Sequence, residues 1–119
     1  MTYENIECMA LINDVNSNRV TEIAESIREN GFTGCPILVM NGQLLTGSHR
    51  LAALRQLAEE GFDVDGLGDV AEDVTEIAAE NMRKYEEENG WCPDIDYSNI
   101  GWMLAGSWVE KYKEEINEW

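Results

Sequence analysis

Residues 36–51 read Pro36-Ile37-Leu38-Val39-Met40-Asn41-Gly42-Gln43-Leu44-Leu45-Thr46-Gly47-Ser48-His49-Arg50-Leu51, the most sharply patterned segment of the chain. Ile37 to Met40 and Gln43 to Leu45 are short apolar runs on either side of Asn41-Gly42. A type I′ turn needs positive φ at both central residues and favours Asn-Gly, so a tight β-hairpin is predicted. Thr46-Gly47-Ser48 then leads into a segment with Leu51, Leu54, Leu57 and Ala58 at helical spacing. A glycine-containing turn thus delivers a strand directly into a helix start. The N–H groups of such a start lack intrahelical partners and carry partial positive charge, so an anion fits there.

Upstream, Cys8-Met9-Ala10-Leu11-Ile12 is a short apolar run that predicts a buried strand, followed by a polar loop to Arg19. Asn18 is placed to cap a helix whose apolar positions Val20, Ile23, Ala24 and Ile27 recur at i, i+3, i+4 and i+7. Asn30-Gly31 ends it, since glycine readily takes the left-handed conformation of a C-terminal cap. Downstream, residues 61–69 read as a loop, and a third helix is expected from about Val70 to Asn89, ended by Gly90. Trp91-Cys92-Pro93-Asp94 reads as a connector to a final helix from about Ser98, with Ile100, Met103, Leu104, Trp108, Tyr112 and Ile116 on one stripe.

The expectation is an α+β fold: a small mixed sheet with a hairpin, packed helices and a C-terminal helical extension. The 119 residues suit a single domain, read as a core over 1–60 and an acidic helical extension over 61–119. The chain carries 24 acidic and 8 basic residues, a formal charge of −16, with 16 of the acids beyond residue 60. Direct DNA binding is thereby disfavoured, because neutralising phosphates takes clustered Lys and Arg. No apolar run reaches the ~18 residues of a membrane span. Cys8, Cys35 and Cys92 form neither a zinc pattern nor a complete disulfide set, which favours a reducing cytoplasm. The single His leaves little scope for a His-based metal site, and no metal ligands are assigned.

The Thr46–Arg50 turn has the best claim to chemistry. Gly47 permits close backbone approach, Ser48 offers a hydroxyl, and Arg50 can pair with phosphate. Read structurally, Ser48 caps the helix and Arg50 answers nearby carboxylates. His49 suits a general base or a phosphate donor, or a helix-start imidazole bonded to backbone.

These residues carry a resemblance. Residues 8–57 resemble the ParB/sulfiredoxin-like superfamily through the front apolar run, Asn18-Arg19, Ala24-Glu25-Ser26-Ile27-Arg28-Glu29-Asn30-Gly31, Pro36-Ile37-Leu38-Val39 and Gly47-Ser48-His49-Arg50 before Leu51-Ala52-Ala53. The resemblance implies phosphate contacts from Gly47, Ser48, His49 and Arg50, with Arg19 near the pocket and ATP, ADP or CTP as the nucleotide. Asp14, with Asn13, falls where kinase-like members place a His-Glu pair and becomes a candidate acid/base beside His49. Phosphoryl transfer or phosphoester hydrolysis would need Asp14 and Mg²⁺ to complete the site. The chain also departs from the family. Ser48 stands where sulfiredoxins carry their catalytic cysteine, and a hydroxyl lacks the reactive thiolate. It also replaces the Glu of the ParB loop, and Thr46 replaces the kinase-like Asp. No basic helix-turn-helix region follows.

The acidic back half supports an alternative: a non-catalytic interaction protein on the same scaffold. Glu72, Glu76, Glu80 and Glu86 to Glu88 form either a solvated helix face or an imitation of DNA phosphates, as in an inhibitor carried by a phage or mobile element. All four Trp residues lie beyond residue 90 and either cover the sheet or form a protein-binding surface.

Overall fold

The computed structural model describes residues 1–91, 104 and 106–112. The elements are α1 (Tyr3–Ile6), α2 (Ser17–Asn30), β1 (Ile37–Met40), β2 (Gln43–Leu44), α3 (Ser48–Glu59), β3 (Ala71–Asp73) and α4 (Thr75–Asn89). Short 3₁₀ turns occupy Asp65–Leu67 and Trp108–Tyr112. The fold is the expected α+β class, with a mixed three-stranded sheet in the order β2-β1-β3.

The hairpin forms as its sequence predicts. Val39 pairs with Leu44 and Met40 with Gln43 in antiparallel register, and Asn41 and Gly42 take φ of 53° and 74°. Every residue of β1 is buried, because its two faces meet different cores. Ile37 and Val39 join α2 and α3 through Val20, Ala24, Ile27, Leu51, Leu54 and Leu57. Leu38 and Met40 face Val74, Ala78, Leu104 and Val109. The period-two alternation of the strand thus builds three layers, with α2 and α3 on one side and α4 on the other.

Three sequence expectations are corrected. Cys8–Ile12 is not a strand: Cys8, Ala10 and Ile12 are exposed, and Arg55 donates to the carbonyls of Glu7 and Met9. A guanidinium has taken acceptors that a ladder would have used. The helix over 70–89 begins instead at Thr75, because Ala71–Asp73 pairs in parallel with Ile37–Val39. Asn16, not Asn18, caps α2; its Oδ1 accepts from the N–H groups of Asn18 at 2.9 Å and Arg19 at 3.2 Å. The expected stop at Gly31 stands, with its N–H donating to Ile27 O at 2.8 Å.

Residues beyond 60 contribute to both cores. Val64, Val70 and Ala71 belong to the α2–α3 side, and Val74, Ala78, Leu104 and Val109 build the other. Most of the expected final helix and the 92–94 connector lie outside the described residues; Trp108–Tyr112 within that stretch is a 3₁₀ turn. Trp91 is 57% and Trp108 39% exposed, while Trp102 and Trp119 lie outside the described residues.

Candidate functional site

Gly47 sets the geometry of the turn. Its φ of 96° is left-handed, and a Cβ there would sit 3.0 Å from Cγ1 of Ile37. Only glycine meets both demands without strain. As the N-cap of α3 it has no side chain to offer, and no side-chain oxygen among the described residues caps the first turn.

Ser48 is the first helical residue, and its side chain is buried. Its Oγ accepts from the N–H groups of Ile12 at 3.1 Å and Asn13 at 3.2 Å. His49 Nε2 accepts from the N–H of Asn16 at 3.1 Å. Residues 12–16 therefore form a strap pinned to the start of α3 by three backbone donors. Both lone pairs of the Ser48 oxygen are occupied, leaving its O–H as a donor. The sequence offered Ser48 as a cap for its own helix; its oxygen instead caps the incoming strap.

The bond to Asn16 also fixes the tautomer of His49. With Nε2 accepting, the proton of the neutral ring sits on Nδ1. Burial holds the His49 pKa below its usual value, and the positive charge of Arg19 lowers it further. His49 Nδ1 is buried and has no hydrogen-bond partner among the described residues. The same holds for Oγ1 of Thr46, a fully buried side chain on the other side of Gly47. Buried polar atoms are nearly always satisfied, so these two, one on each side of Gly47, are polar groups of the turn still open to a partner.

Arg50 is placed differently from the sequence expectation of a phosphate contact. Its guanidinium donates to the carbonyl oxygens of Thr33, at 2.9 Å, and Cys35, and lies 3.9 Å from the centre of the Phe32 ring. Arg50 ties the connection between α2 and β1 to the first turn of α3.

The structure sets Ser48 and His49 beside Gly47, with the charge of Arg19 acting on His49, and ties Arg50 to backbone carbonyls. Asp14 sits exposed on the strap. Among the described residues, no three or more His, Cys, Asp or Glu side chains lie close enough together to hold a metal ion. Sequence reasoning included Thr46 in the turn but assigned it no contact, and it missed Asn16 as the partner of His49. The signal for the first was its position between the hairpin and Gly47.

No helix among the described residues is long and apolar enough to cross a membrane. Comparison with family models, curated proteins and solved structures finds no match to this chain.

Proposed function

We propose that the Gly47 turn binds a phosphorylated ligand, a nucleotide such as ATP, ADP or CTP. The observation that carries this reading is the pair of buried atoms, Thr46 Oγ1 and His49 Nδ1, that have no hydrogen-bond partner among the described residues, at a helix start that no described side chain caps. An anion there receives hydrogen bonds from the first-turn amides and compensates the partial charge of the helix end. Arg19 supplies the neutralising cation, His49 Nδ1–H a further donor, and Arg50 holds the shape of the turn. The resemblance of residues 8–57 to the ParB/sulfiredoxin-like superfamily supports the same ligand class. Asp14 is the acid/base candidate on the strap should the bound phosphate react.

The test is a melting-temperature screen with ATP, ADP, CTP and GTP, each with and without Mg²⁺, on the wild type and Arg19→Gln. A ligand that binds only the folded state adds about 2.7 kcal/mol at a hundredfold excess over Kd. The expected result is a rise with one nucleotide that is reduced in Arg19→Gln. No rise with any of the four overturns the reading.

A second reading, an acidic interaction protein, rests on α4 and the strand before it. Glu72, Glu76, Glu86 and Glu88 are exposed and form no ion pair among the described residues. Charge reversal at Glu86–Glu88 is expected to spare nucleotide binding and to break binding to a basic partner. Unchanged partner binding would remove this second reading.

A further inference from the structure

Two hollows open where the hairpin turn meets α4. One, of about 290 Å³, is lined by Met40, Thr75, Ala79, Met82, Arg83 and Glu86. The other, of about 620 Å³, is lined by Asp73, Glu76 and Ile77. They share Asn41 and Thr75, whose N–H···Oγ1 bond of 2.9 Å joins the hairpin to the start of α4. This region lies at the opposite end of β1 from the nucleotide turn: Gly47 packs on Ile37, the first residue of the strand, whereas the groove begins at Met40, its last.

The lining combines two chemistries. On α4, Thr75, Ala79, Met82, Arg83 and Glu86 recur at i, i+4, i+7, i+8 and i+11, so they form one stripe. Its apolar part consists of Met82 and Ala79 beside Met40, and Met side chains adapt well to a partner's surface. Residues 72–88 carry seven carboxylates and two cations. Both cations are already paired within the helix, Arg83 with Glu87 at 3.0 Å and Lys84 with Glu80 at 3.5 Å. Glu86 at the first hollow and Glu76 at the second thus have no cation partner among the described residues, while Arg83, which also lines the first hollow, is held by Glu87. The Thr75 hydroxyl and N–H both donate to Asp73, which holds its carboxyl below the usual carboxylate range and keeps it ionised.

This pattern selects its occupant. A second copy of the chain would bring another −16 charges, and nucleic acid would bring phosphates, so both are repelled. The first hollow, about 290 Å³, has Met40, Ala79 and Met82 as its apolar lining. It suits a side-chain anchor. We propose that this groove docks a basic amphipathic segment of a partner protein, with an apolar side chain against Met40, Ala79 and Met82 and Lys or Arg opposite Glu76 and Glu86. The proposal rests on the acidic-interaction reading and gives it a location and a partner chemistry.

The test uses the full chain with labelled methionine methyls, titrated with a short helix-forming peptide of leucine and lysine. Two control peptides replace leucine by serine or lysine by glutamine. The expected result is a shift of the Met40 and Met82 methyls, with Met1 and Met9 unmoved, and affinity that falls as salt is raised. Neither control peptide should bind comparably. Glu76→Lys/Glu86→Lys, which changes only exposed side chains, should weaken binding about tenfold. Binding that shifts Met1 and Met9 equally, or that survives the double variant or the loss of leucine, overturns the groove while leaving an acidic interaction surface elsewhere. Failure of the leucine–lysine peptide to bind at all, or equal binding of the glutamine peptide, overturns both.

Discussion

Replacing Arg50 by Ala should unfold the protein more readily rather than merely weaken ligand binding. The Arg50 side chain is 7% exposed, donates to the carbonyls of Thr33 and Cys35, and stacks on Phe32. Hydrogen bonds from a charged donor contribute ~1.5–3 kcal/mol each, and a cation over an aromatic face adds ~0.5–2 kcal/mol. These contributions overlap, so a loss of about 3–4 kcal/mol is expected, a large part of a typical stability of ~5–15 kcal/mol. For a chain of this size the melting temperature should fall by roughly 10–15 °C. Urea unfolding followed by circular dichroism measures the change in midpoint at constant slope. Arg50→Lys keeps the charge but loses the planar fork, and should recover less than half of the loss. If Arg50→Ala costs no more than the ~0.5 kcal/mol of an ordinary surface substitution, the assignment of Arg50 to the carbonyls is wrong.

Three further predictions concern the same turn. Ser48→Ala leaves the N–H groups of Ile12 and Asn13 without their acceptor; it should cost about 1–2 kcal/mol and raise hydrogen exchange at those two amides first. Gly47→Ala meets both a φ of 96° and the Ile37 side chain at 3.0 Å; a destabilisation of about 1–3 kcal/mol by urea unfolding is expected. His49 has a folded pKa below its unfolded value near 6.5, so between the two the unfolded chain binds more protons. Its contribution is therefore complete above about pH 6.5 and is lost as pH falls through the folded pKa. His49→Gln should remove that part of the pH dependence of the urea midpoint, and an unchanged profile would contradict the neutral, Asn16-bonded imidazole.

Local signals made part of this fold legible. Asn41-Gly42, Gly31 and the apolar spacing of α2 and α3 act within a few residues, and the structure follows them. Val70 and Val74 misled because they fall at helical spacing with Ile77 and Ala78, and the parallel pairing of Ala71–Asp73 with β1 overrides that spacing. Cys8–Ile12 misled for the complementary reason: an apolar run becomes a strand only with a free ladder to join, and Arg55 occupies two of the carbonyls nearby. At the candidate site, Gly47 was legible because a strand-to-helix turn demands unusual backbone freedom. The commitments of Ser48, His49 and Arg50 were not, since their partners lie on the 12–16 strap and the 33–35 connection. Hydrogen bonds between segments distant in sequence leave no mark on either segment alone.

The most direct test of the phosphate-binding turn is an amide N–H correlation spectrum of the full chain titrated with ATP, ADP, CTP and inorganic phosphate. One of these ligands should shift the amides of Ser48, His49 and Arg50 together with the strap amides of Ile12, Asn13 and Asn16, and Arg19→Gln should suppress the response. Shifts confined to other parts of the chain, or no shift with any ligand, would contradict phosphate binding at this turn.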